Sequence, residues 1–139
     1  MEKRGLTILG FLLFFVLLTG CATIVSHSNW PITIKSIPDQ ADITIWDVRE
    51  NRKIFMDKTP TVIYLSSNGG YFKGKTYSVQ VLKDGFNVDT AEIHSIINPW
   101  YFGNVISWIP GFLIVDPLTG AMWKLEPQEI NLILKKKGE

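Results

Sequence analysis

The sequence predicts a mainly β protein: a small antiparallel β-sandwich with a C-terminal apolar helical hairpin and a closing strand. Three observations carry this. Apolar and polar residues alternate with period two in several short segments. Turn residues separate those segments. Then, after Asn98-Pro99, the texture changes to a continuous apolar run. A period of two places alternate side chains on opposite faces of a strand, and short alternating segments divided by Gly, Pro, Asn and Asp are the pattern of a packed β domain.

Ile32-Thr33-Ile34-Lys35-Ser36-Ile37 opens the domain with such alternation, and Pro38-Asp39-Gln40 punctuates it. From Ala41 to Trp46 the alternation resumes, with Ala41, Ile43 and Ile45 on one face. Asp47 to Lys53 is a charged patch and reads as an exposed loop or hairpin tip. Thr61-Val62-Ile63-Tyr64-Leu65 is a short strand rich in β-branched and aromatic residues. Ser66 to Gly70 carries turn chemistry, since Asn68-Gly69 reaches positive φ at low cost. Thr76 to Leu82 sets Tyr77, Val79 and Val81 opposite Ser78 and Gln80. Asp84-Gly85 turns the chain, and Val88 to Ile97 is a looser strand.

From Trp100 to Val115 the only polar side chains other than the Trp100, Tyr101 and Trp108 tips are Asn104 and Ser107. Length and all-round apolarity predict a buried or membrane-contacting helix. Pro110 cannot donate to the Ile106 carbonyl, so such a helix is kinked or broken there. Asp116 as N-cap and Pro117 at the first helical position predict a second short helix running to about Trp123. Glu129 to Lys135 then closes the fold with Ile130, Leu132 and Leu134 inward, ahead of the basic tail Lys135-Lys136-Lys137.

The N-terminus supplies an address. Lys3 and Arg4 precede an uncharged apolar run from Leu6 to Leu18, the layout of a secretory signal peptide. Thirteen residues are too few for a membrane span, which needs about 20. The run ends in Leu18-Thr19-Gly20-Cys21, a lipobox: a branched apolar residue, two small residues that fit a peptidase cleft, and a thiol that accepts a diacylglyceryl group. An odd, solitary cysteine in an exported chain is otherwise a stray reactive thiol, and lipidation of Cys21 accounts for it. Two or three acyl chains, at about 0.8 kcal/mol per buried methylene, hold a protein on a membrane essentially permanently. Ala22, where aspartate would retain such a protein at the inner membrane, points to the outer membrane and its periplasmic side. The predicted layout is a cleaved signal peptide at 1–20, a lipidated tether at 21–30 and a sandwich at 31–97. An apolar helical segment at 98–125 and a closing strand with basic tail at 126–139 complete it.

Cleavage leaves 119 residues, with 12 basic and 12 acidic side chains. That size suits one small domain, and a neutral exported domain gives no reason to expect nucleic-acid binding. With Cys21 acylated there is no disulfide, so stability must come from packing.

The middle of the chain resembles a PEGA domain, a small β-sandwich of bacterial surface and exported proteins. The matching pieces are Ser36 through Ile43 around Pro38-Asp39-Gln40-Ala41, then Lys58-Thr59-Pro60-Thr61, then Tyr77 through Phe86 with its Lys83-Asp84-Gly85-Phe86 ending. The likeness covers about residues 31–97. Gln40 stands where the family usually has glycine. If that position takes positive φ, the turn here must be built differently. Farther on, Gly103-Asn104 and Val115-Asp116-Pro117-Leu118-Thr119-Gly120-Ala121 are similar to the tail of a group of small lipoproteins. Both resemblances imply an envelope location and a binding or structural role without catalysis. Neither supplies ligand residues.

Independent signs of chemistry are sparse. His27 and His94 are the only histidines, and neither has a second ligand at metal-like spacing. Asp116-Pro117-Leu118-Thr119-Gly120 lacks the contiguous Asp-Thr-Gly of an aspartic protease. No Gly-rich loop links a strand to a helix as a phosphate cradle would. No enzyme activity is expected, and no cofactor or metal beyond the lipid on Cys21. The apolar block 100–115 has three readings: a cover for one open face of the core, a membrane-contacting hairpin, or a partner interface. The contact candidates are Trp100, Tyr101, Trp108 and Phe112, with aromatic rings at headgroup level in the second reading. The expected partners are the membrane and an envelope protein or polysaccharide.

Overall fold

A computed structural model describes residues 28–99, 101–102, 113–114 and 116–138. The signal peptide, Cys21, Trp100, Trp108 and Phe112 lie outside these. Among the described residues eight strands form two sheets. They are β1 (Asn29–Ile37), β2 (Asp42–Asp47), β3 (Arg52–Lys58), β4 (Thr61–Ser66), β5 (Thr76–Leu82), β6 (Asp89–Ile97), β7 (Trp123–Glu126) and β8 (Glu129–Ile133). The smaller sheet has the order β4-β1-β8 and the larger β3-β2-β5-β6-β7. Ile32, Ile34, Leu65 and Ile130 from the first meet Ile43, Ile45, Tyr77, Val79, Val81, Ile93 and Leu125 from the second in one buried cluster. The mainly β expectation holds: the faces Ala41, Ile43, Ile45 and Tyr77, Val79, Val81 are buried, and of the third Ile130 and Leu134 are buried while Leu132 is partly so.

The all-antiparallel expectation does not hold. β1 pairs antiparallel with β4 but parallel with β8, from Thr33↔Glu129 to Ile37↔Ile133. β1 also begins at Asn29, so residues 29 and 30 belong to the sheet and not to the tether. Pro31 is tolerated inside this central strand because its missing N–H faces the β8 side. Pairing with β8 starts only at Thr33, whose N–H reaches the Gln128 carbonyl.

The patch at 47–53 is a hairpin tip, yet Asp47 is only 1 % exposed and ends β2. It is followed by β3, an edge strand that the sequence reading missed. A register irregularity between Ile45 and Trp46 accompanies that pairing.

The helical hairpin expected across 98–125 is not seen in the described residues. One named helix is present, α1 (Asp116–Thr119), and it stops four residues short of Trp123. Gly120 takes φ 78, the left-handed conformation that ends helices, and Trp123 then pairs with Ile97 as the start of β7. Two short strands therefore close the fold where one was expected.

Candidate functional site

Strand directions give the molecule two distinct ends. β1 starts, β4 and β6 finish, and β5 and β7 begin at the end where the described chain enters at Ser28. We term this the entry end. The opposite, far end gathers the 38–41 turn, Thr59-Pro60, the Asp84-Gly85 turn and the tail after β8.

At the far end the motif Ser36…Pro38-Asp39-Gln40-Ala41…Thr59 is one hydrogen-bonded knot around a buried hydroxyl. Thr59 is fully buried. Its N–H donates to the Ala41 carbonyl at 2.9 Å, its carbonyl accepts the Gln40 N–H at 2.9 Å, and its Oγ1 accepts the Ala41 N–H at 3.0 Å. Ser36 Oγ also meets Thr59 Oγ1 and donates to the Pro38 carbonyl at 2.7 Å. Thus Ser36, polar on an alternating strand, points inward for a reason, while Ile37 turns outward. Gln40 adopts φ 55 itself. The turn keeps the left-handed residue that glycine would favour, and the Gln40 side chain donates back to the Thr59 carbonyl at 3.3 Å.

Beside this knot lies a groove of about 390 Å³ between the ends of β1 and β8, floored by Ile37, Leu132, Ile133 and Pro60 and rimmed by Lys35, Asp39 and Asn131. Ile37 and Ile133 are 67 % and 71 % exposed. β8 is an edge of its sheet. Parallel pairing turns the N–H groups of Ile130, Leu132 and Leu134 toward β1, as the Leu134 N–H to Ile37 carbonyl bond at 2.9 Å shows. The intervening backbone groups at Glu129, Asn131 and Ile133 face outward, beside the groove. Lys35 Nζ lies 2.8 Å from Glu129 Oε1 across the β1–β8 pair. The Lys35 hydrogen bond, with one from Asn131, holds the Glu129 carboxyl below its ordinary range.

At the entry end a second buried hydroxyl does the stitching. The Ser67 N–H donates to the Ser28 carbonyl at 2.7 Å, and Ser67 Oγ lies 3.1 Å from both the Ser28 and Trp123 carbonyl oxygens. Ser95 Oγ accepts the Lys75 N–H at 2.8 Å and reaches the Ser67 carbonyl at 3.1 Å. Trp30 Nε1 donates to the Trp123 carbonyl at 3.2 Å. These bonds join both sheets at the point where the chain enters. Close by, Asp47 Oδ1 accepts the N–H groups of Arg49 and Glu50, and Oδ2 accepts Lys75 Nζ at 2.8 Å. Burial alone would raise the Asp47 carboxyl. The Lys75 ammonium and the two backbone donors outweigh it, and its pKa falls below the usual value. Burial, then the charges of Asp47 and Glu50, push the Tyr77 hydroxyl up; it donates to the Ser66 carbonyl at 2.7 Å.

Of the contact residues named from sequence, Tyr101 alone is described. It is 6 % exposed, and burial first, then Asp116 and Tyr71, raise its pKa. Its neighbour Phe102 points outward instead. Around them Tyr71, Phe72, Leu113, Ile114 and Leu118 are also exposed. Tyr71 and Phe72 were missed in sequence because they sit in a Gly- and Asn-rich turn, where only the fold decides what they face. His94 is exposed on β6. Among the described residues no three His, Cys, Asp or Glu side chains gather as a metal-binding group, and no helix is long and apolar enough to cross a membrane. Comparison of the chain with protein families, curated proteins and solved structures finds no match.

Proposed function

We propose that this chain is a non-enzymatic, PEGA-like lipoprotein of the bacterial envelope, tethered through Cys21 to the outer membrane on its periplasmic side, and that it binds an envelope protein. The observation that favours a protein is the far-end groove beside the outward backbone groups of β8. An extended peptide can add a strand to such an edge through main-chain hydrogen bonds while apolar side chains enter adjacent pockets. Ile37, Ile133 and Pro60 suit aliphatic side chains. Polysaccharide is favoured less, because among the described residues no aromatic ring lines the groove to stack on a sugar face.

Two measurements test this. Cys21→Ser should leave an uncleaved, unlipidated precursor, and normal maturation of that variant would sink the lipoprotein reading. A photo-crosslinking residue at position 133, introduced in cells, should give a discrete protein adduct that an equivalent probe at position 92 on β6 does not. Glycan adducts, or none, would sink the protein-binding reading.

A further inference from the structure

The entry end combines features that folding alone leaves unexplained. Tyr71, Phe72, Phe102, Leu113, Ile114 and Leu118 are each between 43 % and 59 % exposed. They come from separate segments that the structure ties together. Tyr71 Oη donates to the Leu113 carbonyl at 3.1 Å, Asn68 Nδ2 to the Leu118 carbonyl at 3.4 Å, and the Tyr71 and Phe72 rings meet edge-on at 4.8 Å. Asn68 adjoins Ser67, which is bonded to Ser28, so the apolar cluster and the entering chain share one end.

Charge is arranged to match. Arg49 reaches the Gly69 carbonyl at 2.9 Å and has no carboxylate partner among the described residues, and neither has Lys73. The carboxylates of Asp47 and Asp116 at this end are buried, and Glu50 is paired with Arg52 and Lys75. Cations therefore rim the apolar cluster, with the nearby anions withdrawn or neutralised.

Chain length selects what meets this surface. Six residues separate Cys21 from Ser28, a reach of about 25 Å at full extension. β1 runs nine residues from the entry end to the far end, about 26 Å at the rise of a strand. A lipid on Cys21 can bring the entry end flush with a bilayer, whereas laying the far end there would consume the whole tether. We infer that the entry end is a second membrane contact, with these apolar side chains at the headgroup–acyl boundary and Arg49 and Lys73 at the lipid phosphates. Aromatic rings favour that depth, and apolar area adds to electrostatic attraction in interfacial binding. The inference rests on the lipoprotein reading above, and it assigns the occupant of this face as phospholipid.

The test uses the full lipidated chain in vesicles of phosphatidylethanolamine and phosphatidylglycerol. Because acylation blocks the Cys21 thiol, a nitroxide can be attached at Phe72→Cys, Leu118→Cys or Ile133→Cys. Labels at 72 and 118 should show several-fold more collision with oxygen than with a water-soluble nickel chelate, relative to the label at 133. Equal nickel access at all three positions would overturn the inference. Positions 72 and 118 lie on different segments, so loss of one variant to misfolding leaves the other decisive. Intact mass on the same sample separates the failures. An unacylated Cys21 removes the lipoprotein reading and this inference with it, whereas acylated protein with water-exposed labels removes this inference alone.

Discussion

Each end of the molecule is held by a fully buried hydroxyl, Thr59 at the far end and Ser67 at the entry end, yet their surfaces differ. At the far end Thr59 and Ser36 knot a turn rimmed by Asp39, Lys83 and Asp84, with Lys83 Nζ donating to the Asp39 carbonyl, beside a narrow groove in which the aliphatic side chains of Ile37 and Ile133 stand exposed. At the entry end Ser67 and Ser95 also tie the sheets together, but the segments above them leave a broader cluster in the open, one that includes the Tyr71, Phe72 and Phe102 rings. Hydrogen-bond satisfaction and apolar burial are thus separable. The entry end leaves the buried Trp46 and Trp123 indole N–H groups without a partner among the described residues, yet its larger shortfall is the apolar side chains left in the open, which points to something outside the chain.

The sharpest way to break the entry end is Gly120→Val. A Cβ there lies 2.4 Å from Asn68 Cβ, and φ is 78. Left-handed strain plus the displaced Asn68 should cost about 3 kcal/mol or more, read as a lowered denaturant midpoint. At the far end, Thr59→Val keeps the shape but removes the acceptor for the Ala41 N–H and the partner of Ser36. Buried groups left unsatisfied should cost about 2 kcal/mol, whereas Thr59→Ser should lose much less. Equal loss from Val and Ser would show that the methyl, not the hydroxyl, matters.

Acid probes the buried carboxylate of the entry end. The folded Asp47 pKa is depressed, so its stabilisation is complete above the unfolded value of about 3.9 and is lost as pH falls through the lower folded value. Unfolding followed from pH 5 downward should show that loss below about pH 4. Lys75→Met removes the main partner opposing burial and leaves only the two backbone N–H donors against it, so its transition should move to higher pH. An unmoved transition would separate Lys75 from this effect. Smallest of all on stability should be Leu118→Ser, an exposed site expected to change unfolding free energy by less than about 0.5 kcal/mol. A larger loss would mean that Leu118 is core, weakening its assignment to a lipid contact.

Much of the fold was legible because period-two patterning is local. β1, β2, β4, β5, β6 and β8 could all be placed from their own residues. β3 was not, because Ile54 and Phe55 are adjacent and its edge position leaves both only half-buried. β7 was hidden because Gly120 alone decides that the chain leaves the helix before Trp123. The parallel β1–β8 pair and the Ser67–Ser28–Trp123 knot join residues far apart in sequence, and no local period encodes them. Asp47 was misplaced at the surface because a carboxylate in a charged run looks solvated until Lys75 is known to face it. The exposed apolar face was half legible: composition drew attention to 100–115, while Tyr71 and Phe72 gained meaning only from what they adjoin.

The parallel pairing of β1 with β8 also has a consequence in time. A central strand formed from residues 29–37 waits for one of its two neighbours until residues 129–133 are present. Closing a loop of that length is slow beside hairpin formation. The larger sheet has most of its pairings between consecutive strands and can assemble early, while the smaller one is finished last. β1 is therefore secured on its second side only after residues 129–133 have been made, and until then that side of the strand stays open.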